Sequence, residues 1–61
     1  MEIEFKYNNE ISVFFTPKEN GKSDYWVTIH DFGNLDGREL SCDYNELQHI
    51  LNNPASYIRS F

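Results

Sequence analysis

Residues 3–7, Ile-Glu-Phe-Lys-Tyr, alternate apolar and charged side chains without interruption. After Asn8 and Asn9 a second alternating run, Glu10 to Pro17, sets Ile11, Val13 and Phe15 against Ser12, Phe14 and Thr16. Side chains along a β-strand point to opposite faces with a period of two, so each run reads as a strand with one apolar face. How the two pair depends on the spacing between them. A two-residue Asn8-Asn9 turn opposes Tyr7 to Glu10 and Phe5 to Ser12, which puts polar groups on the apolar face. One more loop residue opposes Tyr7 to Ile11, Phe5 to Val13 and Ile3 to Phe15. The odd-length loop, Asn8 to Glu10, is therefore expected. It leaves Phe14 on the opposite face beside Glu2, Glu4 and Lys6.

The segment TPKENGKSD contains a proline stop and an Asn-Gly turn signal, so the second and third strands form a hairpin with a longer loop. The third strand, SDYWVTIHDF, carries large apolar side chains on both sides. Tyr25, Val27 and Ile29 are the more β-branched set and are assigned to the core; Trp26, Thr28, His30 and Phe32 take the other face. Gly33 to Gly37, GNLDG, reads as a turn-rich loop. Arg38 to Cys42 then makes a short fourth strand with Leu40 and Cys42 inward.

Asp43 begins a helix, with its carboxylate as the cap and Glu46 at the capping-box position. Tyr44, Leu47, Ile50 and Leu51 recur at helical spacing and form the stripe that packs on the sheet, while His49 points away from it. Asn52-Asn53-Pro54 ends this helix. Asn53-Pro54 is also a cap followed by a first-turn proline, so NPASYIRSF reads as a second short helix with Ile58 and Phe61 folding back; a fifth strand is the alternative. The expected fold is α+β, one domain over 1–61: a four-stranded, mainly antiparallel sheet with one face covered by the C-terminal helix or helices. Its core set is Ile3, Phe5, Tyr7, Ile11, Val13, Phe15, Tyr25, Val27, Ile29, Leu40, Leu47, Ile50 and Leu51.

A chain of 61 residues buries only about 60% of the surface that it exposes when unfolded. The single cysteine cannot close an internal disulfide, and no Cys/His spacing matches a zinc finger. Five Phe, four Tyr and one Trp supply the apolar area instead. The N-terminal MEIEFKYN has acids where a signal peptide carries lysines, and no run approaches the about 18 apolar residues of a membrane span, so the cytosol is the expected compartment. A net charge of -5 disfavours nucleic acid and anionic membrane as direct partners and favours a basic protein.

Catalytic and metal-binding constellations are weak. Cys42 and His49 resemble a thiol and imidazole pair only in composition, since one is assigned inward on a strand and the other outward on a helix. Asp31 and Asp36 flank GNLDG without the ligand spacing of a calcium loop, and turn chemistry accounts for them. His30 with Asp31 lacks the further ligands of a closed zinc site, and GNLDG lacks the residues of a phosphate cradle. The expectation is a non-enzymatic chain with no cofactor and no metal.

The strongest signal is the aromatic set Phe14, Trp26 and Phe32, with His30, on the sheet face opposite the helices. Contiguous exposed apolar area marks interaction sites, and Trp and Phe are favoured anchors in them. The order of four strands running into DGRELSCDYNELQHIL is coarsely similar to the single-strand-binding domain of the transcriptional-coactivator family, which implies base stacking on the sheet. The family's basic residues are missing here, and Glu2, Glu4 and Glu39 lie on that face. The leading expectation is instead an acidic protein-binding module that imitates nucleic-acid charge. By size and charge it looks like the small inhibitors that phages and mobile elements direct at restriction and CRISPR enzymes. Phe14, Trp26 and Phe32 would be its anchors, with Glu2, Glu4, Glu39, Asp31 and Asp36 as steering charges around a basic groove of the partner. The alternative is an obligate homo-oligomer or antitoxin-like subunit that buries the aromatic face, or a tail helix lying over it through Tyr57, Ile58 and Phe61.

Overall fold

The computed structural model describes residues 2–19 and 24–58. Four strands, β1 (Ile3–Lys6), β2 (Ile11–Pro17), β3 (Asp24–Asp31) and β4 (Asp36–Asp43), are followed by helices α1 (Tyr44–Asn52) and α2 (Pro54–Ile58). The strands form one antiparallel sheet in the order β1-β2-β3-β4. The fold is α+β, with the two helices packed on the sheet.

The first hairpin has the register that the odd loop demands: Ile3 faces Phe15 and Phe5 faces Val13. Asn8 closes it. Its Oδ1 accepts the backbone N–H groups of Glu10 and Ile11, both at 2.8 Å, while the Tyr7 amide donates to the Ile11 carbonyl at 2.9 Å. An asparagine side chain that stands in for a turn carbonyl is a common loop device.

In β3, Val27 and Ile29 enter the core while Trp26 and His30 face away from it. The β3–β4 connection is tighter than GNLDG suggests. Only Phe32 to Leu35 form the turn, and Asp36 and Gly37 already pair with Asp31 and His30, so β4 is longer than the expected Arg38–Cys42. Ladder pairing is a backbone property and continues through polar residues.

Asp43 caps α1 as expected, its Oδ1 accepting the Glu46 N–H at 2.8 Å. The helix ends at Asn52, where the Asn53 N–H bonds back to His49 O. Pro54 opens α2, so the tail forms a helix and the alternative of a fifth strand is excluded through Ile58. Ile58 is buried with Ile11, Val13, Val27, Ile29, Leu47 and Ile50, so α2 folds onto the face that α1 covers. It does not lie over the opposite face. The expected contribution of Phe61 lies outside the described residues. Two cross-links fix α2: Arg38 Nη1 donates to Tyr57 O at 2.7 Å, and Tyr57 OH donates to Glu46 Oε2 at 2.6 Å.

The core is narrower than the alternation suggests. Ile3, Phe5 and Tyr7 have the inward parity, yet they remain 44, 40 and 39% exposed. The helices contact β2, β3 and β4, and their cover stops short of the β1 edge. Tyr44 is likewise exposed, at the first position of α1, where it reaches only the rim of the sheet and the ring of Tyr25 at 6.4 Å. Leu47 and Ile50 are the buried stripe, with Leu51 half-buried beside them. No helix among the described residues is long and apolar enough to cross a membrane.

Candidate interaction surface

Strand parity places Ser12, Phe14 and Thr16 of β2, Trp26, Thr28 and His30 of β3, and Glu39 and Ser41 of β4 on the face that neither helix covers. The pairs Phe14–Thr28, Thr16–Trp26, Trp26–Ser41 and Thr28–Glu39 confirm that arrangement. Glu4 stands opposite Phe14, and Lys6 stands opposite Ser12.

The aromatic residues fall into two groups. Phe14 meets His30 edge-on at 5.4 Å, and Phe32 stacks on the imidazole at 5.4 Å and 12°. Rings in these geometries attract beyond their simple burial. Phe14 is consequently half-buried, while Phe32 remains 57% exposed at the end of the stack. Ser12 is buried on this nominally outer face, between Lys6 and His30 in the ladder. Trp26 lies about 13 Å from His30 along β3, beyond Thr28, and is 58% exposed. Lys18 Nζ sits 4.3 Å from the centre of its ring, a cation held against the indole face. Between Trp26 and Glu39 a shallow groove of ≈ 480 Å³ is lined also by Val27, Thr28, Leu40 and Ser41.

Two of the expected steering charges are not on this face. Asp31 is 2% exposed, on the parity of Val27 and Ile29, and both of its oxygens serve the adjacent turn: Oδ1 accepts Asn34 N–H at 3.1 Å and Oδ2 accepts Asn34 Nδ2 at 2.8 Å. Asp36 is exposed at the same end of the sheet, opposite Asp31, and its Oδ1 accepts the Gly37 N–H at 2.8 Å. Glu4 and Glu39 hold the expected face, and Glu2 is exposed just ahead of β1. Lys18 joins Lys6 as a second cation there, so the charge of the face is mixed.

The turn itself adds a residue that reading by strand parity passes over. Leu35 is 91% exposed and has φ 53, a left-handed conformation that a leucine adopts only under constraint. Glu10 lies against this turn, its carbonyl accepting the Phe32 N–H at 2.7 Å and its side chain resting where a Cβ on Gly33 would stand. Phe32 and Leu35 therefore project from one end of the sheet with Glu10 and Asp36 beside them. An apolar residue inside GNLDG gives no periodic signal.

Burial pushes the Cys42 thiol above its ordinary value, and the carboxylates of Glu46, Asp43 and Asp24 add to the shift. This keeps the thiol protonated near neutral pH, the opposite of an activated nucleophile. His49 is exposed in the last turn of α1. Among the described residues, no three His, Cys, Asp or Glu side chains converge as a metal site. Compared with known proteins, the chain matches no family model, no curated protein and no solved structure.

Proposed function

We propose that this chain is a non-enzymatic protein-binding module that occludes a basic, nucleic-acid-binding site on a partner protein, in the manner of small phage or mobile-element inhibitors of restriction or CRISPR enzymes. One observation carries the reading: Trp26, beside a groove bordered by Glu39, and Phe32, stacked on His30 at the end of the sheet, are each more than half exposed. Exposed Trp and Phe are efficient anchors once a partner desolvates them. Glu39 borders the Trp26 groove, Glu4 stands opposite Phe14, and Glu10 and Asp36 lie at the turn that carries Phe32; the net charge of -5 favours encounter with a basic surface. The contact between Lys18 and Trp26 supports the same chemistry, because an indole that holds the chain's own ammonium group also suits a partner's arginine or lysine.

The test is capture of a partner from host lysate on wild-type bait and on a Trp26→Ser/Phe32→Ser bait, with duplex DNA as competitor. Retention of a nucleic-acid enzyme by wild type alone, with release by DNA, supports the reading. Equal retention by both baits, or indifference to DNA, overturns it.

A further inference from the structure

We propose that β1 is a self-pairing edge: two copies of this chain join antiparallel through β1 across a two-fold axis at Phe5, extending the sheet to eight strands. This goes beyond the partner-binding reading and uses the β1 edge, which borders that face through Glu4 and Lys6 and includes neither Trp26 nor Phe32.

β1 is an edge strand of the sheet. The Tyr7 amide points into the sheet, toward Ile11. Backbone groups alternate sides along a strand, so the N–H and C=O groups of Glu4 and Lys6 point out of the open edge. On the helix side, Ile3, Phe5 and Tyr7 are about 40% exposed because the helices do not reach them. Among the described residues, open backbone groups and an uncovered apolar row thus coincide on one strand.

Charge complementarity identifies the occupant. Edge strands usually deter pairing by carrying charges that meet like charges. Residues opposed in an antiparallel pair share a face, so a two-fold must lie on a residue. An axis on Glu4 opposes Glu4 to itself, and an axis on Lys6 opposes Lys6 to itself. An axis on Phe5 opposes Glu4 to Lys6 of the second copy twice over, sets Ile3 against Tyr7 and puts the two Phe5 rings side by side. The run Ile-Glu-Phe-Lys-Tyr is self-complementary in this register alone. Phe5 then occupies a non-hydrogen-bonded pair, the closer-spaced kind, which favours contact between side chains. Glu4 and Lys6 exchange backbone bonds across the axis. The apolar row continues the core from one copy to the other, as an isologous interface requires.

Sedimentation equilibrium over a range of concentrations tests the pairing. Wild type is expected to approach twice the 7.3 kDa monomer mass as concentration rises. Glu4→Lys opposes like charges at two symmetric positions and should weaken the dimer about tenfold or more, as should Lys6→Glu. The double exchange Glu4→Lys/Lys6→Glu recreates both opposite pairs and should restore wild-type affinity. Both substitutions are at exposed positions, and circular dichroism verifies that each of the three variants is folded. A monomer at every concentration up to about 1 mM, which corresponds to no useful affinity, overturns the proposal. A dimer indifferent to the single substitutions, or one not restored by the double exchange, does the same. Loss of the dimer in Trp26→Ser/Phe32→Ser with Glu4→Lys unaffected would assign self-association to the other face and also overturn it. Partner capture is read separately, so either reading can fail without the other.

Discussion

Asp31 grips Asn34 with both carboxylate oxygens, one on the backbone N–H and one on the side-chain amide. This grip closes the β3–β4 turn and holds the next residue, Leu35, in its left-handed conformation. Asp31→Ala should lower stability by about 1 kcal/mol, since the turn loses two part-buried hydrogen bonds whose Asn34 donors are left to water; urea denaturation measures it. Leu35→Asn should act in the opposite direction, raising stability by about 0.5 kcal/mol, because asparagine tolerates this conformation and a 91% exposed leucine loses no packing. If Leu35 is also an anchor, the same substitution weakens partner capture while it stabilises the fold.

Tyr57 reports on the joint between the helices. Its hydrogen bond to the Glu46 carboxylate, with burial and the nearby charge, pushes the phenol from an ordinary 10.0 up to about 12. Between those values the native state keeps a proton that the unfolded chain has lost. The stability from this bond is therefore full below pH 10 and declines as pH rises toward 12. Ultraviolet titration should show a tyrosine step that ionises late. Tyr57→Phe should remove that step and flatten the alkaline loss of stability relative to wild type.

Gly33 and Gly37 should respond differently to alanine. A Cβ on Gly37 would stand 2.9 Å from the Ile29 carbonyl, an atom of the paired strand that cannot withdraw without distorting the ladder. At Gly33 the obstruction, at 2.7 Å, is the end of the Glu10 side chain, which can swing into solvent. Gly37→Ala is expected to cost about 1–3 kcal/mol and Gly33→Ala under about 1, measured as paired thermal melts. Equal losses would show that Glu10 is held at the turn more firmly than its exposed position suggests.

Cys42 should alkylate slowly. Its raised pKa leaves little thiolate near pH 8, so iodoacetamide modification of the native chain should trail that of the urea-unfolded chain at the same pH. Faster native reaction would contradict the partial burial that raises the Cys42 thiol.

Alternation and loop parity make the first hairpin legible, because a one-residue slip places Ser12 and Glu10 on the apolar face. The same parity placed Trp26, His30 and Phe14 correctly on the uncovered face. It could not say how far the helices extend, and so Ile3, Phe5 and Tyr7 were assigned to a core that ends at β2. Asp31 was grouped with surface charges by its chemistry, although its odd position, in step with Val27 and Ile29, already pointed to the helix side. Lys18 lies past the proline at the end of β2, where the pattern stops. Leu35 carries no periodic signal, since it sits in the turn that the Asn34–Asp31 bonds close and not in a strand or helix.

Every strand in the sheet pairs with its neighbour in sequence, with no crossover. Each pairing therefore closes a short loop, and the entropy lost in bringing distant segments together stays small. Sequential pairing lets each hairpin form on its own, in about microseconds. The N-terminal hairpin contains all the residues it needs before the rest of the chain is synthesised, while the apolar cover for β2, β3 and β4 is encoded in the last third and arrives after the sheet it protects.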